Sequence, residues 1–347
     1  MEALNLNYQS EVFADTSQMS REEWLNTRRF GIGGSEASII MGVSPFATKR
    51  DLFYDKTGKK PVQTDPEEEN WVAKAVGNRL EELVAMIFAK KTGFSVYPDK
   101  HMYQHPLFPF MKADLDFIIE FEDGTNAILE CKTCNYNSQF KWKDGQVPVN
   151  YEWQCRHYMA VKNINVAYVA CLYGNNESEF FIRKLERDLD MEKDLIEAEQ
   201  DFWENYVQKG IVPPYDEQPD LVLESLRKFA GQPDKMLPEI TLDQSQKSNL
   251  ERYLELADRK SALEAEKRQI ETEQKNLSIP IVEQLGEGCK AVLLDGTNRY
   301  QITYNPTYRK SVKKEDILKL ENLYPEAYAD VVTETFSRTF RVKKEAA

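Results

Sequence analysis

Three polar side chains interrupt an otherwise apolar pair of β-type runs: Asp116 within residues 113–121, and Glu130 and Lys132 within residues 125–133. Side chains alternate along a strand, so Ile128, Glu130 and Lys132 share one face while Leu129 and Cys131 take the other. The acid and the amine then stand about 7 Å apart. Glu122-Asp123-Gly124 separates the two runs. A three-residue loop with Gly124 in the left-handed position opposes Phe121 to Thr125 and, counting back, Asp116 to Glu130. Like charges that face each other weaken a sheet, so two retained carboxylates make sense around a divalent cation. An all-oxygen ligand set selects magnesium, for which manganese can substitute, over zinc. Beside such an ion Lys132 is expected to hold a water and help deprotonate it, its pKa lowered by the cation and by partial burial. Asp114 lies two residues from Asp116 on the same strand face, so either acid can be the ligand; the hairpin register favours Asp116. The same residue types also suit a solvated surface pair. The apolar Ile118, Ile119, Leu129 and Cys131 around them argue for a buried site instead.

The elements that must position this group are legible from periodicity. Val76, Leu80, Leu83, Val84, Ile87 and Phe88 recur at helical spacing over residues 72–91, closed by Thr92-Gly93. Glu81 precedes Val84 and Phe88 by three and seven positions and so borders the buried stripe. Strands are expected at 94–97, 113–121, 125–133, 166–173 and 179–182, with helices at 151–162 and 191–209. The helix at 151–162 carries Gln154, which can face the same site, and His157, read as a packing residue. The mixture is α/β or α+β. Glycine and prolines at 210–219 break any regular pattern, which places a domain boundary near 220 and gives two domains, 1–220 and 221–347. In the second, Leu256, Leu263, Ile270 and Leu277 are spaced by seven along a long helix at 244–277. Lys260, Lys267 and Gln274 at the intervening seam positions disfavour a full coiled coil, leaving one narrow stripe to pack on a neighbour. Short strands at 291–294 and 300–304, a helix at 314–323 and a last strand complete the chain.

With 41% hydrophobic and 30% charged residues, the 347-residue chain is ordinary globular protein, which excludes disordered, collagen-like and disulfide-scaffold classes. Without a long apolar run or a signal-peptide core, it is expected to be soluble and cytoplasmic, not membrane-bound. Five scattered cysteines suit free thiols. Cys131-x-x-Cys134 lacks the second pair an iron–sulfur cluster needs, and three histidines are too few for a histidine-metal nuclease. The net charge of −13 means that any nucleic-acid binding must come from a local basic groove. Arg309, Lys310, Lys313 and Lys314 among tyrosines form one candidate DNA-facing patch. A solvated face or a contact with a partner protein fits them equally.

Asp116 followed by Glu130-Cys-Lys132, with Glu81 on a preceding helix, resembles the PD-(D/E)XK nuclease superfamily. More specifically, a series of motifs is similar in content and order to the YqaJ-type viral recombinases, phage exonucleases related to that of bacteriophage lambda. These are Arg29-Phe-Gly-Ile-Gly-Gly-Ser-Glu-Ala-Ser38, Met41-Gly-Val-Ser-Pro-Phe46, Leu52-Phe-Tyr-Asp-Lys-Thr-Gly58, Gly77-Asn-Arg-Leu-Glu81, Asp114-Leu-Asp116 and Gln154-Cys-Arg-His-Tyr-Met159. The resemblance spans about residues 20–210. It implies a restriction-endonuclease-like central mixed sheet flanked by helices, with a smaller C-terminal helical and β extension. It also implies metal binding by Asp116, Glu130 and the Cys131 carbonyl, an attacking water oriented by Lys132, and a second metal or its water assisted by Glu81. Gln154 would support the site, and Arg29 and Ser35 would hold a 5′-terminal phosphate, a role that a bidentate guanidinium and a hydroxyl suit.

The implied activity is a 5′–3′ exonuclease with two magnesium ions per site. It would digest linear double-stranded DNA to 5′-mononucleotides and leave 3′ overhangs for a single-strand annealing protein. A homo-oligomer, a trimeric ring, is implied as well. Asp116-Phe117 departs from the Asp-Gly often found in relatives. Two alternatives stand beside this reading: a structure- or sequence-specific endonuclease on the same core, and a catalytically idle DNA-end-binding scaffold.

Overall fold

In the computed structural model, which describes residues 4–61, 71–176, 178–229, 236–296, 298–307 and 314–332, Ser20 and Glu23 exchange hydrogen bonds with each other's main chain at 3.2 and 2.8 Å. That reciprocal cap satisfies orphan amides and starts α1 (Arg21–Arg28). Before it lies β1 (Glu11–Asp15); after it come β2 (Ile32–Gly33), α2 (Gly34–Ile40) and α3 (Lys49–Lys56). The amphipathic stripe expected over 72–91 becomes α4 (Trp71–Thr92), with Val84, Ala85 and Phe88 buried. Val76 and Leu83, counted in the same stripe, stay exposed. Then follow β3 (Ser95–Pro98), β4 (His101–Gln104), β5 (Met111–Asp114), β6 (Phe117–Glu120), β7 (Asn126–Thr133), α5 (Val149–Lys162), β8 (Val166–Leu172), β9 (Phe180–Glu186), α6 (Leu189–Asp201) and α7 (Pro219–Phe229).

The strands form two mixed sheets, one ordered β1-β4-β5-β2 and the other β3-β6-β7-β8-β9. In the larger sheet β7 runs parallel to β8 and antiparallel to β6. The run at 113–121, expected as one strand, is divided between the two sheets at Leu115-Asp116. The Asp116 carboxylate accepts the Cys131 amide at 2.9 Å, so a side chain takes the place of a ladder carbonyl and the chain passes from one sheet to the other. On one face of β7, Leu129 and Cys131 pack with Val84 and Phe88 of α4. On the other, Ile128 packs with Cys155 and Met159 of α5. Burial on both sides explains why the middle of β7, residues 127–131, is apolar with Glu130 as the exception. The architecture is mixed α/β, with sheets flanked by helices.

Two units separate in the chain, 1–235 and 236–347. Helix α7 belongs to the first: its Ser225 hydroxyl donates to Asp51 at 2.7 Å and Phe229 lies 4.4 Å from the Tyr54 ring. The division therefore follows Lys235 instead of falling near 220. The second unit contains α8 (Lys247–Leu285), which extends beyond the expected helix and passes through Pro280, and a hairpin of β10 (Lys290–Asp295) and β11 (Asn298–Thr303). It closes with α9 (Lys314–Leu323) and α10 (Pro325–Val331). Arg309, Lys310, Lys313, the Lys314 side chain and the expected last strand lie outside the described residues. Among the described residues no helix is long and apolar enough to cross a membrane.

Candidate active site

The turn between β6 and β7 has the geometry counted from the sequence. Gly124 sits at φ +79°, and the Phe121 amide donates to the Thr125 carbonyl at 2.9 Å. Phe117 pairs with Leu129, so the next position outward brings Asp116 to the level of Glu130. Glu130 is 1% exposed. Its Oε1 accepts from Gln154 Nε2 at 2.6 Å and from Lys132 Nζ, whereas its Oε2 has no hydrogen-bond partner. Burial first, then the charges of Asp116 and Glu81, push the Glu130 carboxyl up to about 8 despite Lys132. Burial and Asp116 likewise push Glu81 up to about 7. Asp116 is also raised, by burial acting against the pull of Lys132. The sequence thus brings Glu81, Asp116, Glu130, Lys132 and Gln154 to one place.

Lys132 departs from its expected electrostatics. Burial alone would lower its pKa, but the Glu130 and Asp116 carboxylates outweigh burial and hold the ammonium well above its ordinary value. The physical reason is the neighbours' sign: within the chain itself the lysine faces two acids, and only a cation shared between them would reverse the balance.

The donor set fits a divalent ion. Glu130 Oε2 is a buried acceptor without a donor, and three acids disfavour one another's charge, both of which a hard cation corrects. Among the described residues, no three His, Cys, Asp or Glu side chains converge as a ready cage. Asp116, Glu130 and the Cys131 carbonyl would therefore hold an ion together with water, and Glu81 would act from further away. Asp114 is otherwise engaged, accepting the Trp24 indole at 2.5 Å. Cys131 and Cys134 pack into opposite cores of the sheet. His157 is wholly buried between Glu199 and the Lys112 carbonyl, 2.8 Å from each, a packing role as expected.

A cleft of about 830 Å³ runs over these groups and is also lined by Trp24, Arg28, Ser35, Lys100 and Tyr158. Ser35 lines the cleft, and the arginine beside it is Arg28, which donates to its hydroxyl at 2.8 Å. Arg29 turns instead to Asp55 at 3.3 Å and Asn26 at 3.1 Å and does not line the cleft. Arg28 is fixed from three sides, by Ser35, by Glu36 at 3.3 Å and by the Trp24 ring at 4.8 Å. Burial disfavours the Glu36 charge, yet Lys56 and Arg28 hold its carboxyl below the ordinary value. The signal for this cluster was Ser20-Arg-Glu-Glu23, a capping box that starts a helix and sets Trp24 and Arg28, four apart, on one face.

The site is braced from behind by a close approach of α2 to α5. A Cβ on Gly34 would collide with the Tyr158 ring, whose hydroxyl accepts from Gln154 Nε2 at 3.1 Å. Gly34→Ala is expected to destabilise the first unit by about 1–3 kcal/mol through overpacking and to loosen the Gln154–Glu130 bond. Thermal unfolding checks this. A change under about 0.5 kcal/mol would mean that the contact yields freely.

Comparison with known proteins shows what the chain is similar to. Residues 23–165 match the YqaJ-like viral recombinase domain. The chain is 32% identical over 337 residues to the uncharacterized protein YqaJ of Bacillus subtilis strain 168, covering 96% of this chain and 98% of that one. An alkaline exonuclease from Laribacter hongkongensis is similar over 55% of this chain and 94% of its own, with 18% identity and a TM-score of 0.45. A phage-related exonuclease from Haemophilus somnus 129PT is similar over 54% of this chain and 99% of its own, with 14% identity and a TM-score of 0.38.

Proposed function

Because the chain belongs to the family of YqaJ-like viral recombinase domains, we propose that it is a magnesium-dependent deoxyribonuclease that digests linear duplex DNA from 5′ ends. One observation carries the reading: Asp116, Glu130 and Lys132 meet in a cleft where the buried Glu130 Oε2 lacks a partner. Two divalent ions, magnesium or manganese, would when bound activate a water and neutralise the leaving 3′ oxygen. Asp116 and Glu130 would hold such ions. Gln154, bonded to Glu130 Oε1, fixes the carboxylate so that its second oxygen is left for the ion. Lys132 presents a permanent positive charge beside the scissile phosphate, orienting the water and stabilising charge that develops in the transition state. Glu81, pushed up to about 7, is suited to accept a proton near neutral pH.

Arg28 and Ser35 take the 5′-terminal phosphate, with Glu36 and Trp24 holding the guanidinium in place. On this reading the products are 5′-mononucleotides and a 3′ overhang, the substrate of a single-strand annealing protein. The enzyme works in the cytoplasm, and a ring of three chains would retain the DNA strand between cuts.

Incubation with linear and covalently closed circular duplex, with and without magnesium, tests the proposal. Magnesium-dependent loss of the linear form alone is the expected result. Cutting of the circle would make the protein an endonuclease, and binding of ends without nucleotide release under magnesium or manganese would make it a scaffold. Arg28→Ala is expected to raise KM for 5′-phosphorylated duplex by about 10- to 100-fold, the worth of a charge-assisted bond. It should barely alter KM for 5′-hydroxyl ends. Arg29→Ala, which removes an exposed ion pair with Asp55 and a hydrogen bond to Asn26, should change either by less than about fivefold.

A further inference from the structure

Helix α8 has no buried residue, and Leu256, Leu263, Ile270 and Leu277 on it are 46%, 55%, 51% and 65% exposed. They recur every seventh residue along one line. Leu263, Glu266, Lys267, Ile270, Glu271 and Gln274 outline a hollow of about 400 Å³ on that face, of the kind a side chain from a facing helix fills. The seam positions three residues before each apolar one are Tyr253, Lys260, Lys267 and Gln274. The charges decide what covers the stripe.

A parallel copy is disfavoured. It would set Lys260 on Lys260 and Lys267 on Lys267, and its flanks would oppose Glu266 to Glu271. An antiparallel copy reverses each of these. With Lys260 level with Leu263 of the other copy, the core layers are Tyr253 with Ile270, Lys260 with Leu263 and Lys267 with Leu256, each repeated by the two-fold axis. Each lysine stem then lies along a leucine, with its ammonium free to reach the acids at the edge. On one flank Arg252 faces Glu273 and Arg259 faces Glu266; on the other Ala257 faces Glu264. No like charges meet. The paired stretch, 252–273, ends before Pro280, whose missing amide leaves one helical hydrogen bond unmade.

We infer that α8 is a self-association element that pairs antiparallel with α8 of a second copy of this chain, in the register that sets Arg259 against Glu266. Such a contact is isologous and two-fold, so it joins assemblies in pairs and is distinct from a head-to-tail ring contact.

Sedimentation velocity on the full chain tests it. Leu263→Glu/Ile270→Glu is expected to halve the mass of the assembly. Because both side chains are exposed, the variant should keep its far-UV circular dichroism. Arg259→Glu alone should weaken association by about tenfold or more, and Arg259→Glu/Glu266→Arg should restore it, since the swap re-forms the antiparallel pairs. Equal masses for wild type and the Leu263→Glu/Ile270→Glu variant would overturn the inference. So would rescue of Arg259→Glu by Glu264→Arg in place of Glu266→Arg, which would mark a parallel pair.

Discussion

Asp116→Asn is expected to lower nucleotide release from linear duplex by about 10³-fold, equivalent to about 4 kcal/mol of transition-state stabilisation, while leaving the protein as stable as before or more so. The asparagine oxygen can still accept the Cys131 amide, so the passage between the two sheets survives. What disappears is a negative charge that raises both Glu81 and Glu130, so the two remaining acids ionise at less cost in the folded state. Loss of activity with no loss of melting temperature marks a group kept for chemistry at the expense of stability. Asp114→Asn makes the contrast. That acid is bonded to the Trp24 indole, and its replacement should act through Trp24 and Arg28, with a smaller fall in rate and a larger share of the effect in KM for 5′-phosphorylated ends. The measurement is initial rate of acid-soluble nucleotide release alongside thermal unfolding. Activity of Asp116→Asn within tenfold of wild type would remove that residue from the reaction.

The strand pair of the candidate site was readable because its determinants are local. A glycine at the end of a three-residue loop fixes the register, and the period of two along a strand fixes which side chains share a face. Asp116 and Glu130 therefore meet where counting from Phe121 and Thr125 puts them. Glu81 was readable from its place beside Val84 and Phe88 on a long amphipathic helix. Two things were not readable in this way. The break at Leu115-Asp116 depends on a side chain from one strand accepting an amide of another, a contact between residues 15 apart that no local pattern records. The choice of Arg28 over Arg29 depends on the phase of α1, a short helix without a buried residue and hence without a stripe to set its rotation. Only its capping box betrays it. The fate of α8 was partly legible: its heptad spacing is plain in the sequence, whereas the exposure of Leu263 and Ile270 required the structure.

Magnesium or manganese is expected to raise the melting temperature of the protein, and the increment should grow as pH rises from about 5 to about 8. The sign follows from the acids. Glu130 is raised from 4.5 to about 8 and Glu81 from 4.5 to about 7, so between these values the folded protein binds more protons than the unfolded chain. Stability contributed by these groups is therefore greatest below about 4.5 and is lost as pH rises through 7 and 8. For the fully buried Glu130 the loss is on the order of 5 kcal/mol at full ionisation, at about 1.4 kcal/mol per unit of displacement. The half-exposed Glu81 adds less because solvent screens it. A cation held by Asp116 and Glu130 replaces the protons those carboxylates would otherwise keep, so it has little to correct at pH 5 and most at pH 8. Glu130→Gln, neutral at every pH and still able to accept from Lys132, should flatten the pH dependence and remove most of the metal increment. Scanning calorimetry across that range, with chelator or with added ion, provides the readout. A metal increment independent of pH and equal in wild type and Glu130→Gln would place the ions elsewhere on the molecule and leave Glu130 Oε2 as a purely structural orphan.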